Sequence, residues 1–292
     1  MKKVLIEGNS DTVVEQVKKC LDGDSKLKHV TVFYDPNNFL LTNYKLLSPW
    51  VHMVLEFENQ EIQIEEINCG YKGSGPGASV DLMESLGLSR KQMQLLVFGN
   101  TALAFSVNQD VIYNLNTDLL FYQQQPVCYK EGALRNKIQI NDNVDVSLDE
   151  RLVRLYNPQR TNWMGFLNLL SYMENIQMEY YIGKNSPLDS GIYVGGGDGS
   201  GFRKGMGNVD LEGTIHSNLY LTGDNFSVSC LIDREYEVEV IEAVYLALTG
   251  KKLSIRTSNR EEGWFRKVFH SSKEQEIYER ILINNVRKER EK

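Results

Sequence analysis

The segment Gly73-Ser74-Gly75-Pro76-Gly77-Ala78-Ser79 has the residue types of an anion-binding turn. Glycines let the backbone reverse sharply and bring bare amides close to a ligand. The first amides of a following helix have no partner inside it and can hold a phosphate or carboxylate. Lys72 would add charge, and Ser74 and Ser79 would add hydroxyls. Gly73, Gly75 and Ala78 meet the G-x-G-x-x-A spacing of a dinucleotide turn. Two features oppose that reading: Asn100 stands where a ribose-binding acid is expected, and Pro76 removes one amide. A P-loop is excluded by the missing Gly-Lys-Ser/Thr ending. The bland reading is a glycine turn that only reverses the chain.

A second glycine-rich stretch runs from Gly195 to Gly207. Within it, Arg203 and Lys204 could close over an anion, and Phe202 could stack on a ring. An exposed connection carrying a solvated basic pair explains the same residues. If the two stretches met at one cleft, Lys72, Gly73, Ser74, Gly75, Gly77, Ser79, Phe202, Arg203 and Lys204 would form one ligand site.

Other chemistries find less support. His29, His52, His216 and His270 are isolated, outside any H-E-x-x-H or H-x-E pattern, and no G-x-S-x-G elbow occurs. His216, on an expected strand after the second stretch, is the most site-like. Asp142, Asp145, Asp149 and Glu150 cluster as caps and surface charge would, so no metal site is assigned. Of Glu65 and Glu66, strand alternation sends one inward, and only a cleft-facing carboxyl would serve as acid or base. Cys20, Cys69, Cys128 and Cys230 lack paired metal or redox spacing and read as buried thiols, Cys69 being the one beside the glycine turn. Trp163, Tyr172, Tyr180, Tyr181 and Tyr193 read as core, with an interface as the alternative.

The elements that would position these groups follow from hydrophobic period. Strands are expected at Lys3–Ile6, Val30–Tyr34, Val51–Phe57, Glu61–Cys69 and Leu95–Phe98, with helices at Thr12–Leu21 and Val80–Leu86. Beyond a turn-rich connection at Tyr122–Asn143, helices are expected at Leu148–Leu155, Trp163–Ile176 and Val238–Leu248. Strands are expected there at Glu179–Ile182, Gly191–Val194, Val209–Ile215 and Phe226–Ile232. The tail, Lys273–Lys292, is expected to be a charged helix. The fold class is α/β, a mixed sheet with flanking helices, with an α+β, strand-rich second half. The expected division is an α/β domain over 1–125 and an α+β domain over 126–292, parted at Gln123-Gln124-Gln125-Pro126. No repeat occurs at solenoid or propeller periods.

Composition sets the outer limits. The chain is 41% apolar and 24% charged, the balance of a folded globular protein. A net charge of -7 opposes general nucleic-acid binding, which leaves a basic footprint. No apolar run approaches the roughly 20 residues of a membrane span, and the apolar run after Met1-Lys2-Lys3 is too short for an export signal. A cytosolic protein is expected. Richness in Lys, Asn, Ile and Tyr with six prolines is the usage of AT-rich bacterial or phage genes. The leading expectation is binding or sensing of a small anionic ligand, a nucleotide or nucleotide-derived molecule. The contrasting expectation is a protein-interaction module of inhibitor or immunity type. A weaker third is a hydrolase or transferase acting on a phosphate-containing substrate through Glu65, Glu66 or His216.

Overall fold

The computed structural model describes residues 1–8, 10–21, 25–108, 111–114, 119–124, 131–183, 186–193, 214–255 and 276–283. These form mixed sheets with helices, an α/β fold whose second half is strand-rich. The chain divides into two compact units: Met1–Ile140 with Ser147–Glu150, and Asn141–Val146 with Arg151–Lys292.

The first unit begins with β1 (Lys2–Ile6), α1 (Val13–Cys20) and β2 (Leu27–Phe33). A 3-10 turn at Pro36–Leu41 opens a strap that leads to β3 (Val51–Phe57) and β4 (Gln60–Glu65). Helices α2 (Ser74–Ser85) and α3 (Arg90–Gly99) precede β5 (Ala102–Asn108) and β6 (Val111–Asn114). Two short strands, β7 (Phe121–Tyr122) and β8 (Ile138–Gln139), pair in parallel. The main sheet runs β1-β4-β3-β2-β5-β6, with β1 and β4 parallel and the later pairs antiparallel.

Alternation along these strands makes the sheet two-faced. Ile6, Val30, Val32, Met53, Leu55, Ile62, Ile64, Leu103 and Phe105 pack with Val13 and Val17 of α1, Val80, Leu82 and Met83 of α2, and Met93 and Val97 of α3. Each such fully buried side chain contributes roughly 1.5–3 kcal/mol. The opposite face carries a cross-strand row, Lys3, Glu61, Glu56, His29 and Ser106, set in register by the ladder. Lys3 pairs with the buried Glu61 at 2.9 Å, and His29 Nδ1 meets Ser106 Oγ at 3.0 Å. The strap covers part of this face. Phe39 joins Phe33, Val51 and Val54 there. The Tyr44 hydroxyl donates to Glu56, and Gln63 holds both the Lys45 carbonyl (3.0 Å) and the Leu47 amide (2.7 Å).

The second unit contains β9 (Val144–Ser147), β10 (Leu152–Tyr156), α4 (Pro158–Thr161), α5 (Trp163–Leu170) and β11 (Ile176–Ile182). A hairpin of β12 (Leu188–Tyr193) and β13 (Thr214–Ser217) leads to β14 (Leu219–Thr222), β15 (Ser227–Leu231), α6 (Glu237–Thr249) and β16 (Ile277–Ile283). Its sheet runs β16-β11-β14-β15-β10-β9. One face bears the buried Val153, Leu155, Leu219, Leu221, Val228, Cys230, Met178 and Tyr180. The other bears the row Arg154, Ser229, Tyr220, Glu179 and Arg280.

Both units follow the same path. A first strand and helical segment are followed by three strands, a second helical segment and a fifth strand, laid in the order first-fourth-third-second-fifth. That order is β1-β4-β3-β2-β5 in one unit and β10-β15-β14-β11-β16 in the other. In each, the first and fourth strands are parallel and the other neighbours antiparallel. The strap and the β12–β13 hairpin occupy the same connection, between the second and third strands of the path.

Four sequence expectations are corrected. Leu95–Phe98 lies within helix α3, because Met93 and Val97 are the buried pair at helical spacing and Leu95 is 71% exposed. Leu148–Leu155 is a turn followed by β10, whose five residues are all buried and so show no alternation. The helix from Trp163 stops at Leu170, and Ile176 begins β11. Ile277–Ile283 of the expected tail helix is strand β16, paired along its length with β11.

Gln60 on β4 is 2% exposed, and neither polar atom of its amide has a hydrogen-bond partner. An unbonded buried amide costs roughly 1–3 kcal/mol. Gln60→Leu is therefore expected to raise the midpoint of chemical unfolding. A lowered midpoint would mean that a buried water satisfies the amide.

Candidate functional site

At the end of the first sheet where β2 and β4 finish and β3 starts, several polar and aromatic groups gather. Glu65 ends β4, and Val51 pairs with it from β3. The Ser48 hydroxyl donates to Glu65 and accepts the Trp50 amide at 3.2 Å. This fixes a turn on which Leu47 is 49% and Trp50 is 66% exposed. His52 Nδ1 bonds the Phe33 carbonyl at 3.2 Å. Burial pushes its imidazole below the usual range, against the pull of the Phe33 and Tyr34 carbonyls and the Glu65 charge. Asp35, 3% exposed, caps the 3-10 turn by accepting from the Asn37 amide at 3.0 Å. Burial raises its carboxyl, and bonds from Asn37 and the Gln123 amide oppose that rise.

The glycine-rich segment forms the start of α2, not a loop ahead of it. Gly73 is the cap residue in extended conformation, and the helix begins at Ser74. Pro76 is tolerated because its missing N–H falls in the first turn, where amides have no intrahelical acceptor. Gly77 already donates to the Gly73 carbonyl at 2.9 Å. The amides of Ser74 and Gly75 thus remain, and no described residue accepts from them. The first turn contains no acidic residue.

Side chains here divide into outward and inward sets. Lys72, Gly73 and Ser74 are exposed, and Gly77 is half-buried. Gly75 is buried: a Cβ there would stand 2.8 Å from Asn68 Oδ1 and 3.1 Å from the Glu66 carbonyl. Ser79 is fully buried, its hydroxyl donating to the Asn68 carbonyl at 2.8 Å and lying 3.3 Å from that of Gly75. Its bonds tie the helix to the segment after β4. The Tyr71 ring lies against Gly73 and meets Tyr34 edge-on at 6.0 Å. Behind them, Gly70 sits at φ +97 with Thr101 against it, which favours glycine at that position.

Other expected site residues are placed as follows. Phe202, Arg203 and Lys204, with the whole Gly195–Gly207 stretch, lie outside the described residues, as do Cys128 and His270. His216 lies on β13. Glu66 is exposed at φ 63. Asp145 pairs with the buried Arg154 at 2.7 Å, and no group of three or more potential metal ligands occurs among the described residues. Cys69 is buried and lies 3.6 Å from the Val32 carbonyl. Tyr180 and Tyr181 are buried. Asn100, expected to end a strand, closes α3 by donating to the Leu96 carbonyl at 2.8 Å. Sequence reasoning missed Tyr34, Tyr71 and Asn68 as neighbours of the glycine segment, and Trp50 and His52 as residues at this end of the sheet. Only strand pairing joins them, although their place at strand ends was a usable signal.

The chain matches no family model, no curated protein and no solved structure. No helix among the described residues is long and apolar enough to cross a membrane.

Two glycines in one helix turn test this geometry. Gly75→Ala must displace Asn68 and press on the Glu66 backbone, so a loss of about 1–3 kcal/mol is expected. Gly77 has nothing within 4 Å of an added Cβ. Gly77→Ala should instead gain about 0.5–1 kcal/mol from helix propensity. Denaturant midpoints of the two variants measure this opposite behaviour.

Proposed function

We propose that the first unit binds or senses a small anionic ligand at the start of α2, without turning it over, and that a nucleotide-like molecule is the class that fits best. The observation that carries this reading is the uncapped helix start. Ser74 and Gly75 offer amides without described acceptors, no acid fills the first turn, and Lys72 stands exposed beside them. The N-terminal end of a helix dipole favours an anion there. Tyr71 and the exposed Trp50, at the same end of the sheet, are surfaces on which a ring can stack. The second unit makes a useful contrast, because the first turn of α6 is occupied by carboxyl side chains of its own, Glu237 and Glu239.

A protein partner is the second reading, favoured by Leu47 and Trp50 on their fixed turn. Aromatic anchors held rigidly before binding are what interface hot spots require.

Thermal-shift measurements with nucleoside mono-, di- and triphosphates and with inorganic phosphate separate the readings. A ligand that binds the folded state raises the melting temperature by mass action. Ser74→Asp should stabilise the free protein by about 0.3–1 kcal/mol through the helix dipole while abolishing the ligand-induced shift. Lys72→Ala should weaken the shift without changing the unliganded midpoint. A blank screen, with a stoichiometric partner retained by the unaltered protein and lost in Trp50→Ala, would favour the protein-partner reading instead.

A further inference from the structure

The base of the β12–β13 hairpin is tied together by two buried side chains with no part in the site above. Asn218, 1% exposed, follows β13 directly. Its side-chain amide donates to the Ile232 carbonyl (2.9 Å) and to Glu237 Oε1 (2.6 Å). Its Oδ1 accepts the Ile232 amide at 2.6 Å, its backbone amide donates to Cys230, and its carbonyl accepts from Tyr181. One residue therefore joins the ends of β11, β13 and β15 to the start of α6. The other leg of the hairpin joins the same point, since Ser217 Oγ donates to the Leu188 carbonyl at 3.3 Å and Ser186 donates to the Ser217 carbonyl.

Glu237 closes this knot from α6. It is 3% exposed, and the Gly183 amide at the end of β11 is its second donor. Among the described residues, the charged and titratable groups around the knot are few. Arg234, in the turn before α6, is exposed to water, and its charge acts on Glu237. Asp233 is engaged by Arg160 at 2.9 Å. Tyr181 of β11 and Glu276, just before β16, pack against Gly183. The carboxyl is thus held mainly by neutral donors in a site shielded from solvent.

We propose that Glu237 is a proton-operated latch, holding the base of the β12–β13 hairpin more firmly when protonated than when ionised. Ionisation leaves a buried negative charge that two neutral donors and a solvated arginine compensate only in part. Desolvation accordingly pushes the carboxyl up to about 7, against the Asn218 bond, the Arg234 charge and the Gly183 bond. Because the folded value lies above the ordinary carboxylate range, the stabilisation is complete below that range. It is lost as pH rises through neutrality.

The test is a carbon-detected titration of the Glu237 side-chain carboxyl in the full-length protein, assigned by Glu237→Gln, with hydrogen exchange at the Tyr181, Asn218 and Ile232 amides. The expected midpoint is near neutrality. Corrected for intrinsic rates, protection at those amides should fall about tenfold between about pH 6 and about pH 8 and stay level in Glu237→Gln. Should that variant fail to fold, the protection profile of the unaltered protein still decides. A midpoint in the ordinary carboxylate range, or protection unchanged across neutrality, overturns the proposal.

Discussion

Strand alternation is the constraint on which the rest of the molecule depends. Each main sheet must bury one apolar face while its charged and hydroxyl groups take the other, beside Phe33, Val51 and Val54 under the strap in the first unit, and a register slip of one residue would exchange the faces. In the first unit, Val30 and Val32 go under the helices while His29 and Thr31 face the other way. In the second, Val153 and Leu155 are buried opposite to Arg154. Both sheets thereby acquire a row of charged and hydroxyl groups across their strands. In the first unit the strap meets that row with hydrogen-bonding partners of its own. Tyr44, Lys45 and Leu47 satisfy Glu56 and Gln63 and anchor the strap in the same contacts.

The shared path gives these features a common logic. A connection of the same kind, between the second and third strands, carries the strap in one unit and the hairpin in the other. It returns to the sheet at the end where the fourth strand hands over to the second helical segment. The turn before the third strand and the start of the second helical segment therefore meet there. The two units differ in how they treat the helix start. In the second, Glu237 is turned into a closed knot with Asn218 and Gly183. In the first, glycine at 73 and 75 makes room for the Tyr71 ring and the Asn68 amide, Gly77 has nothing beside it, and Lys72 lies exposed at the edge with no acid in the first turn. A fold used twice in one chain thus has one occupied and one open corner.

Much of the first unit was legible in its residues. Val51–Phe57 shows its strand through β-branched and aromatic content, and Ile62 and Ile64 show alternation. Gly250, left-handed at φ 69, marks the end of α6 as a C-terminal glycine should. Short apolar runs were the weak point. Leu95-Leu96-Val97-Phe98 fits a buried strand as well as a helix, and only Met93, one helical turn before Val97, separates the two. Ile277, Ile281 and Leu282 suggest a helix, yet their partner strand lies about a hundred positions earlier, beyond any local pattern. The common path of the two units left no period, because connections of unequal length separate equivalent strands. The glycine segment reads in the sequence as a turn ahead of a helix at Val80–Leu86, whereas α2 already begins at Ser74; which of its groups face outward depends on Asn68 and Glu66, whose packing no spacing rule reveals.

The most direct measurement of the central claim is the amide nitrogen–proton spectrum of the protein during titration with adenosine diphosphate and, separately, inorganic phosphate. If the start of α2 holds the anion, the Ser74 and Gly75 resonances should shift downfield and saturate together, with Lys72 and Tyr71 following. Saturating shifts confined to other residues, or none at millimolar ligand, would contradict the account.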